Sequence, residues 1–211
     1  MQDKITSILI VEDEESLRTS LTQVFTVIGY RARCAEDGLA ALAAMREEVP
    51  EILLSDLNMP QMSGFELLSV VRRRFPAVRV VAMSGLCSGV EIPCGVVADA
   101  FYQKGSGMPA LLRVLEGWPL PTREDSKTRD PIWIQRNGHD ASGGEFVTIA
   151  CPECFRTFPQ AIEGTVNQIL DTSCVFCKSS IVYAVVDPSG RSMPKCFDAK
   201  KNTVQAGSNA A

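Results

Sequence analysis

Asp56 ends a short apolar run, Ile52-Leu53-Leu54-Ser55, and precedes Leu57-Asn58-Met59-Pro60 and a turn that reaches Gly64. A carboxylate at the end of a buried strand is placed to attack phosphorus, since Asp and Glu are among the side chains that form covalent phospho-intermediates. An Asp ahead of a Pro/Gly turn is commonly turn chemistry, so Asp56 gains meaning only from what else reaches the same place. Glu12 and Asp13 follow the run Ile8-Leu9-Ile10-Val11, Ser84 follows Val78–Met83, and Lys104 follows Ala100–Gln103. Three carboxylates at one point repel one another and call for a divalent cation; an all-oxygen set beside a phosphoryl group suits Mg²⁺. A hydroxyl and an ammonium complete a cradle for phosphoryl transfer, which is mostly positioning and charge neutralisation. A second constellation lies far along the chain: Cys151-Pro152-Glu153-Cys154 and Cys174-Val175-Phe176-Cys177. Two Cys-x₂-Cys pairs at this separation are the signature of a four-thiolate Zn²⁺ site, closed and structural.

The elements that must carry the first constellation are legible as an alternation. Fully apolar runs mark central parallel strands, and each is followed by apolar residues at helical spacing. Leu17, Leu21, Val24, Phe25 and Ile28 mark a first helix that Gly29 ends; Leu39, Leu42 and Met45 mark a second; Phe65, Leu67, Leu68 and Val71 mark a third; Pro109 to Glu116 is the last. Tyr30–Ala35 supplies the remaining strand. Strands alternating with helices predict a five-stranded parallel, doubly wound α/β sheet, whose carboxyl ends converge on one crevice. Arg72-Arg73-Arg74 reads as a solvated helix C-terminus favoured by the macrodipole.

On these residues, 7–117 resembles the receiver domain of bacterial two-component response regulators. The resemblance implies that Asp56 is the phospho-acceptor, within Asp56, Met59, Pro60 and Gly64. It implies that Glu12 and Asp13 bind Mg²⁺ with Asp56 and the Asn58 backbone carbonyl. Ser84 is then the switch hydroxyl, Lys104 the phosphoryl-pairing lysine, and Phe101 the aromatic that turns inward on phosphorylation. The phosphodonor would be a sensor histidine kinase or phosphotransfer protein. Beyond accepting and losing its own phosphoryl group, such a protein is not expected to be an enzyme.

Two departures from the family pattern stand out. Gly105 follows the lysine where the family usually has proline. Residues 86–97, the place of the fourth receiver helix, contain Gly89, Pro93 and Gly95, each costly in a helix interior. That helix is expected to be short, distorted or absent, with phosphorylation ordering residues 86–98. Cys87 and Cys94 in this stretch read as buried inert thiols.

The domain plan read from sequence is a receiver over 5–118, a linker over 119–144, a module over 145–187 that resembles a zinc ribbon, and a polar tail over 188–211 with the composition of a disordered segment. Within the linker span, Ile132-Trp133-Ile134 alternates enough to be a strand, as does Phe146–Ile149. Phe155 and Lys178 stand where cysteine knuckles often carry glycine. His139, the only histidine, reads as a loop residue because four sulfurs already suffice; Cys34 and Cys196 have no assigned role. Composition is that of a globular chain, 45% hydrophobic and 22% charged. With neither a signal peptide nor a membrane-length apolar run, a cytoplasmic location is expected. Residues 1–118 carry 11 basic and 15 acidic side chains, and residues 119–211 carry 10 of each. Phosphate-backbone binding usually needs a basic excess, so the output partner is expected to be a protein. A zinc-dependent nucleic-acid-binding regulator under receiver control is the alternative.

Overall fold

A computed structural model describes residues 5–85, 96–116, 131–135, 138–139, 145–162 and 168–186. Its first part runs β1 (Ser7–Val11), α1 (Glu15–Val27), β2 (Arg31–Ala35), α2 (Gly38–Glu47), β3 (Ile52–Asp56), α3 (Gly64–Arg74), β4 (Arg79–Ser84), β5 (Ala100–Gln103) and α4 (Met108–Glu116). The five strands form one sheet in the order β2-β1-β3-β4-β5, all parallel. Because successive strand side chains point to opposite faces, each central strand feeds two cores. Leu9, Val11, Leu53, Val80, Ala82 and Phe101 face α2 and α3. Ile8, Ile10, Leu54, Val81 and Met83 face the other way, toward Leu21 and Phe25 of α1 and Leu111 and Leu115 of α4. Burial on both sides is why these strands read as continuous apolar runs. The expected segment between β4 and β5 lies mostly outside the described residues, at 86–95.

Helix ends follow local chemistry. Asp37 caps α2 by accepting the Ala40 N–H at 2.7 Å, and Ser63 caps α3 by accepting the Glu66 N–H at 3.4 Å. Arg72, Arg73 and Arg74 occupy the last turn of α3, where cations complement the helix dipole.

The second part contains β6 (Ile132–Gln135), β7 (Gly138–His139), β8 (Glu145–Ala150), β9 (Thr157–Ala161), β10 (Ile169–Ser173) and β11 (Ser180–Val186). They form two three-stranded sheets, β10-β11-β6 and β7-β8-β9. The plan of a linker across 119–144 is corrected here. Residues 132–135 and 138–139 are strands, and β6 pairs in parallel with β11, placing Trp133 opposite Ala184. The physical reason is the apolar content of Ile132, Trp133 and Ile134, all buried; left in a solvated linker they would each forgo roughly 1.5–3 kcal/mol of burial.

These strands do not hang from a tether. Ile132, Trp133, Ile134, Val147, Ile149, Phe158, Tyr183 and Val185 join the same core as Leu67, Leu68, Val70 and Val71 of α3. Every residue of α3 from Gly64 to Val71 is buried, Glu66 and Ser69 included. A helix buried all round must be covered on all sides; the five-stranded sheet covers one and the second part covers the other. Among the described residues, no helix is long and apolar enough to cross a membrane.

Candidate functional site

The carboxyl ends of β1, β3, β4 and β5 bring the sequence-predicted residues together. Carboxylate oxygens of Glu12, Asp13 and Asp56 lie within 4.8 Å of one another. Glu12 and Asp56 are buried and Asp13 is exposed, so the cluster opens to solvent on one side. Lys104 Nζ donates to Asp56 Oδ2 at 2.7 Å and to Glu12 Oε1 at 3.0 Å. Burial works against the lysine's charge, but the two carboxylates outweigh it and hold its pKa above the ordinary value. Burial likewise raises Glu12, against the opposing pull of Lys104. Glu12 Oε2 is ion-paired with the same ammonium at 2.8 Å. Three carboxylates converging in an all-oxygen set fit a hard divalent cation.

The remaining predicted residues sit around this cluster. Ser84 ends β4 fully buried, and its carbonyl accepts the Lys104 N–H at 2.9 Å, which ties the ends of β4 and β5 together. Asn58 is exposed and donates its N–H to Asp56 Oδ1 at 3.4 Å. Phe101 is buried in β5 on the α3 side of the sheet. Gly105 adopts φ +90°, a conformation glycine takes without strain. Arg18 was not anticipated: its Nη1 donates to the carbonyls of Glu12 at 2.7 Å and Asp13 at 3.0 Å. Nothing in its spacing on α1 distinguishes it from a solvated arginine.

The floor of the site is the start of α3. Gly64 donates its N–H to the Leu57 carbonyl at 3.0 Å. A Cβ there would fall 2.0 Å from the Asp56 carbonyl oxygen and 2.7 Å from Leu57 Cα. Only glycine allows this approach, so the helix begins directly against the backbone of Asp56.

The second constellation also assembles. The Sγ atoms of Cys151, Cys154, Cys174 and Cys177 all lie within 4.8 Å of one another. Cys151 and Cys177 are 3.6 Å apart and Cys154 and Cys174 3.7 Å. Four sulfurs at about 2.3 Å around a tetrahedral zinc stand roughly 3.8 Å apart, so the donor set fits that ion. Two matching turns build it. Phe155 and Lys178 donate their N–H groups to the Cys151 and Cys174 carbonyls at 2.8 and 3.0 Å, while Cys151 and Cys174 donate to the Arg156 and Ser179 carbonyls at 3.0 and 2.9 Å. Phe155 and Lys178 adopt φ +57° and +64°, the left-handed geometry for which glycine is the usual choice. Burial pushes the Cys151 thiol up to about 12, whereas hydrogen bonds to Ser179 draw Cys177 down to about 6. Cys34 is a free, exposed thiol apart from this group, and His139 lies in β7. Cys87, Cys94 and Cys196 fall outside the described residues.

Between the two constellations lies a carboxyl that the sequence reading did not single out. Glu66 of α3 accepts the Ala150 N–H at 2.8 Å, and Ala150 immediately precedes Cys151. Burial pushes Glu66 up to about 8, opposed by that one hydrogen bond. One turn on, Ser69 Oγ accepts the Trp133 N–H at 3.4 Å, and beyond the helix Phe75 stacks on Phe155 with ring centroids 5.8 Å apart. A signal was present: from Phe65 to Val71 only Glu66 and Ser69 are polar, and residues three apart share a helix face.

Comparison with known proteins bears on the first part of the chain. The family model described as "Response regulator receiver domain" matches residues 8–101. Similar curated proteins include the regulatory protein AtoC of Escherichia coli, 34% identical over 43% of this chain and 21% of its own length. Another is the probable transcriptional regulator ycf27 of Pyropia yezoensis, 32% identical over 44% of this chain and 40% of its own. The chain therefore spans less than half the length of either relative. Among solved structures, the response regulator protein TrrA from Thermotoga maritima in complex with Mg²⁺-BeF shares the fold, with a TM-score of 0.50 at 23% identity over 54% of this chain and 98% of that one. The first part of this chain, matched over residues 8–101, is a response regulator receiver domain.

Proposed function

We propose that the protein is a phosphorylation-controlled response regulator in which Asp56 takes a phosphoryl group from a histidine kinase or phosphotransfer protein. The observation that carries this reading is the junction of Asp56, Glu12, Asp13 and Lys104 at one sheet end. Lys104 holds Asp56 Oδ2 and fixes the plane of the carboxylate. An Asp56 oxygen attacks phosphorus, a P–O bond forms, and the donor's P–N bond breaks, with the electron pair returning to the imidazole. Glu12, Asp13, Asp56 and the Asn58 carbonyl would hold Mg²⁺, which neutralises the charge that develops on the phosphoryl oxygens. Ser84 and Lys104 would then bind the phosphoryl oxygens, and Phe101 would repack beside them. Water attack on phosphorus returns Asp56 to its carboxylate. Transfer and hydrolysis at its own side chain are the only chemistry assigned to the protein.

Cys151, Cys154, Cys174 and Cys177 would hold a structural Zn²⁺ in a module that acts as the output and contacts a protein partner. The absence of a basic excess in residues 119–211, with ten basic and ten acidic side chains, supports that choice over nucleic acid. The second reading is a nucleic-acid-binding regulator, favoured by the transcriptional function named for the ycf27 relative. Binding to duplex DNA that weakens steeply with salt would establish it. The phospho-acceptor reading is tested by incubating the chain with acetyl phosphate. Incorporation should require Mg²⁺ and vanish in Asp56→Asn; equal incorporation in that variant would refute it.

A further inference from the structure

Helix α3 touches both constellations. Its first residue, Gly64, abuts the Asp56 carbonyl so closely that no side chain fits. Its first turn places Glu66 Oε1 on the N–H of Ala150, the residue before the first cysteine. Its second holds the Trp133 N–H through Ser69, and past its end Phe75 stacks on Phe155, which is itself the left-handed residue of the first cysteine knuckle. Glu66 is 2% exposed, and apart from Ser69 the helix offers no other polar group to the second part between Phe65 and Val71. Burying a carboxyl is unfavourable unless it is hydrogen-bonded, and the partner Glu66 finds is the Ala150 N–H.

We propose that α3 is the surface on which the cysteine module docks and that Glu66 is a positioning residue for the first cysteine knuckle, holding it through the Ala150 N–H so that occupancy of the Asp56 site is felt at the four thiolates. The proposal rests on Asp56 as phospho-acceptor and on the cysteines as a metal site. The coupling needs no long path: Asp56, Gly64, Glu66, Ala150 and Cys151 are successive neighbours along one helix and one hydrogen bond. It needs a free-energy difference between two placements of α3, and phosphoryl contacts beside the Gly64 turn can supply one. Because Gly64 packs on backbone, a displacement of the Asp56 carbonyl has no soft side chain to absorb it.

The full-length chain loaded with Co²⁺ in place of Zn²⁺ gives the readout, since cobalt–thiolate absorption reports ligand geometry. Mg²⁺ and beryllofluoride serve as the phosphoryl mimic, and ¹⁹F resonance reports separately whether the mimic is bound. The cobalt bands should shift when bound fluoride is present, and should not shift in Asp56→Asn. Glu66→Gln, which keeps an acceptor for the Ala150 N–H, should retain the shift. Glu66→Leu should bind one cobalt per chain yet lose the shift. Bound fluoride with an unmoved cobalt spectrum would overturn the coupling while leaving Asp56 as acceptor; absence of bound fluoride would overturn the Asp56 reading and the coupling with it. A Glu66→Leu chain that still shifts like wild type would remove Glu66 from the account. In the unaltered chain, where no variant has to fold, the Ala150 amide resonance should also move with the mimic, and an unmoved resonance counts against the proposal.

Discussion

At the scale of single residues, the receiver site depends on groups that do no chemistry themselves. Arg18 spans the carbonyls of Glu12 and Asp13 and fixes the loop on which two of the three carboxylates ride. Charge-assisted hydrogen bonds contribute about 1.5–3 kcal/mol each, so Arg18→Ala should weaken Mg²⁺ binding by roughly tenfold or more, measured by titration of the metal against intrinsic fluorescence. Unchanged affinity would mean the loop holds itself. Gly64 is the stricter case. In Gly64→Ala the new methyl meets the Asp56 carbonyl at 2.0 Å, and overpacking against backbone costs typically 1–3 kcal/mol. A denaturant midpoint unchanged from wild type would show that the approach is softer than the geometry implies. Gly64 was legible from its place after Met59-Pro60, whereas Arg18 was not, because its partners are carbonyls and carbonyls leave no mark in a sequence.

At the scale of elements, α3 differs most from what periodicity led one to expect. Phe65, Leu67, Leu68 and Val71 predict a helix with one buried face, and the helix exists, but its other face is buried as well. Its cover is β6 and β8, and β6 begins 58 residues after the helix ends, so no local pattern encodes that pairing. The same limit applies to β6: Ile132-Trp133-Ile134 reads as a strand, but its parallel partner β11 does not follow from its own residues. The two cysteine knuckles were readable because their chemistry is local. The left-handed Phe155 and Lys178 confirm the turns even without glycine. Burial of Glu66 has a consequence for pH. A carboxyl whose pKa rises from 4.5 to about 8 on folding binds its proton more tightly in the folded chain. Its contribution is therefore fully present below pH 4.5, declines as pH rises toward about 8, and levels off above, a loss of the order of a few kcal/mol. Glu66→Gln should flatten this decline and gain stability relative to wild type at pH 8. Parallel stability–pH curves for the two chains would contradict it.

At the scale of the whole molecule, the two parts share a core, so they should not behave as beads on a string. A plain linker over 119–144 would let a chelator unfold residues 145–187 and leave the receiver intact. The joint packing of Val147, Ile149 and Trp133 with Leu67 and Val70 changes that expectation. Metal removal should unfold the cysteine module, because thiolate ligation supplies much of a small module's folding free energy, and should also lower the receiver's melting temperature by several degrees. A receiver transition that stays put after chelation would mean that α3 tolerates exposure of its outer face. The doubly wound sheet was legible almost strand by strand, since each strand is an apolar run ending in a chemically distinct residue. The docking of the second part was not, since it depends on contacts between residues far apart in the chain.

Covalent trapping tests most directly whether Asp56 is the phospho-acceptor. An acyl phosphate is reduced by borohydride to an alcohol, so a phosphorylated aspartate becomes homoserine and is located by peptide mass. After acetyl phosphate and Mg²⁺, homoserine should be found at position 56 and should be missing when Mg²⁺ is withheld. Homoserine at Asp13 or another carboxylate, with Asp56 intact, would contradict the account.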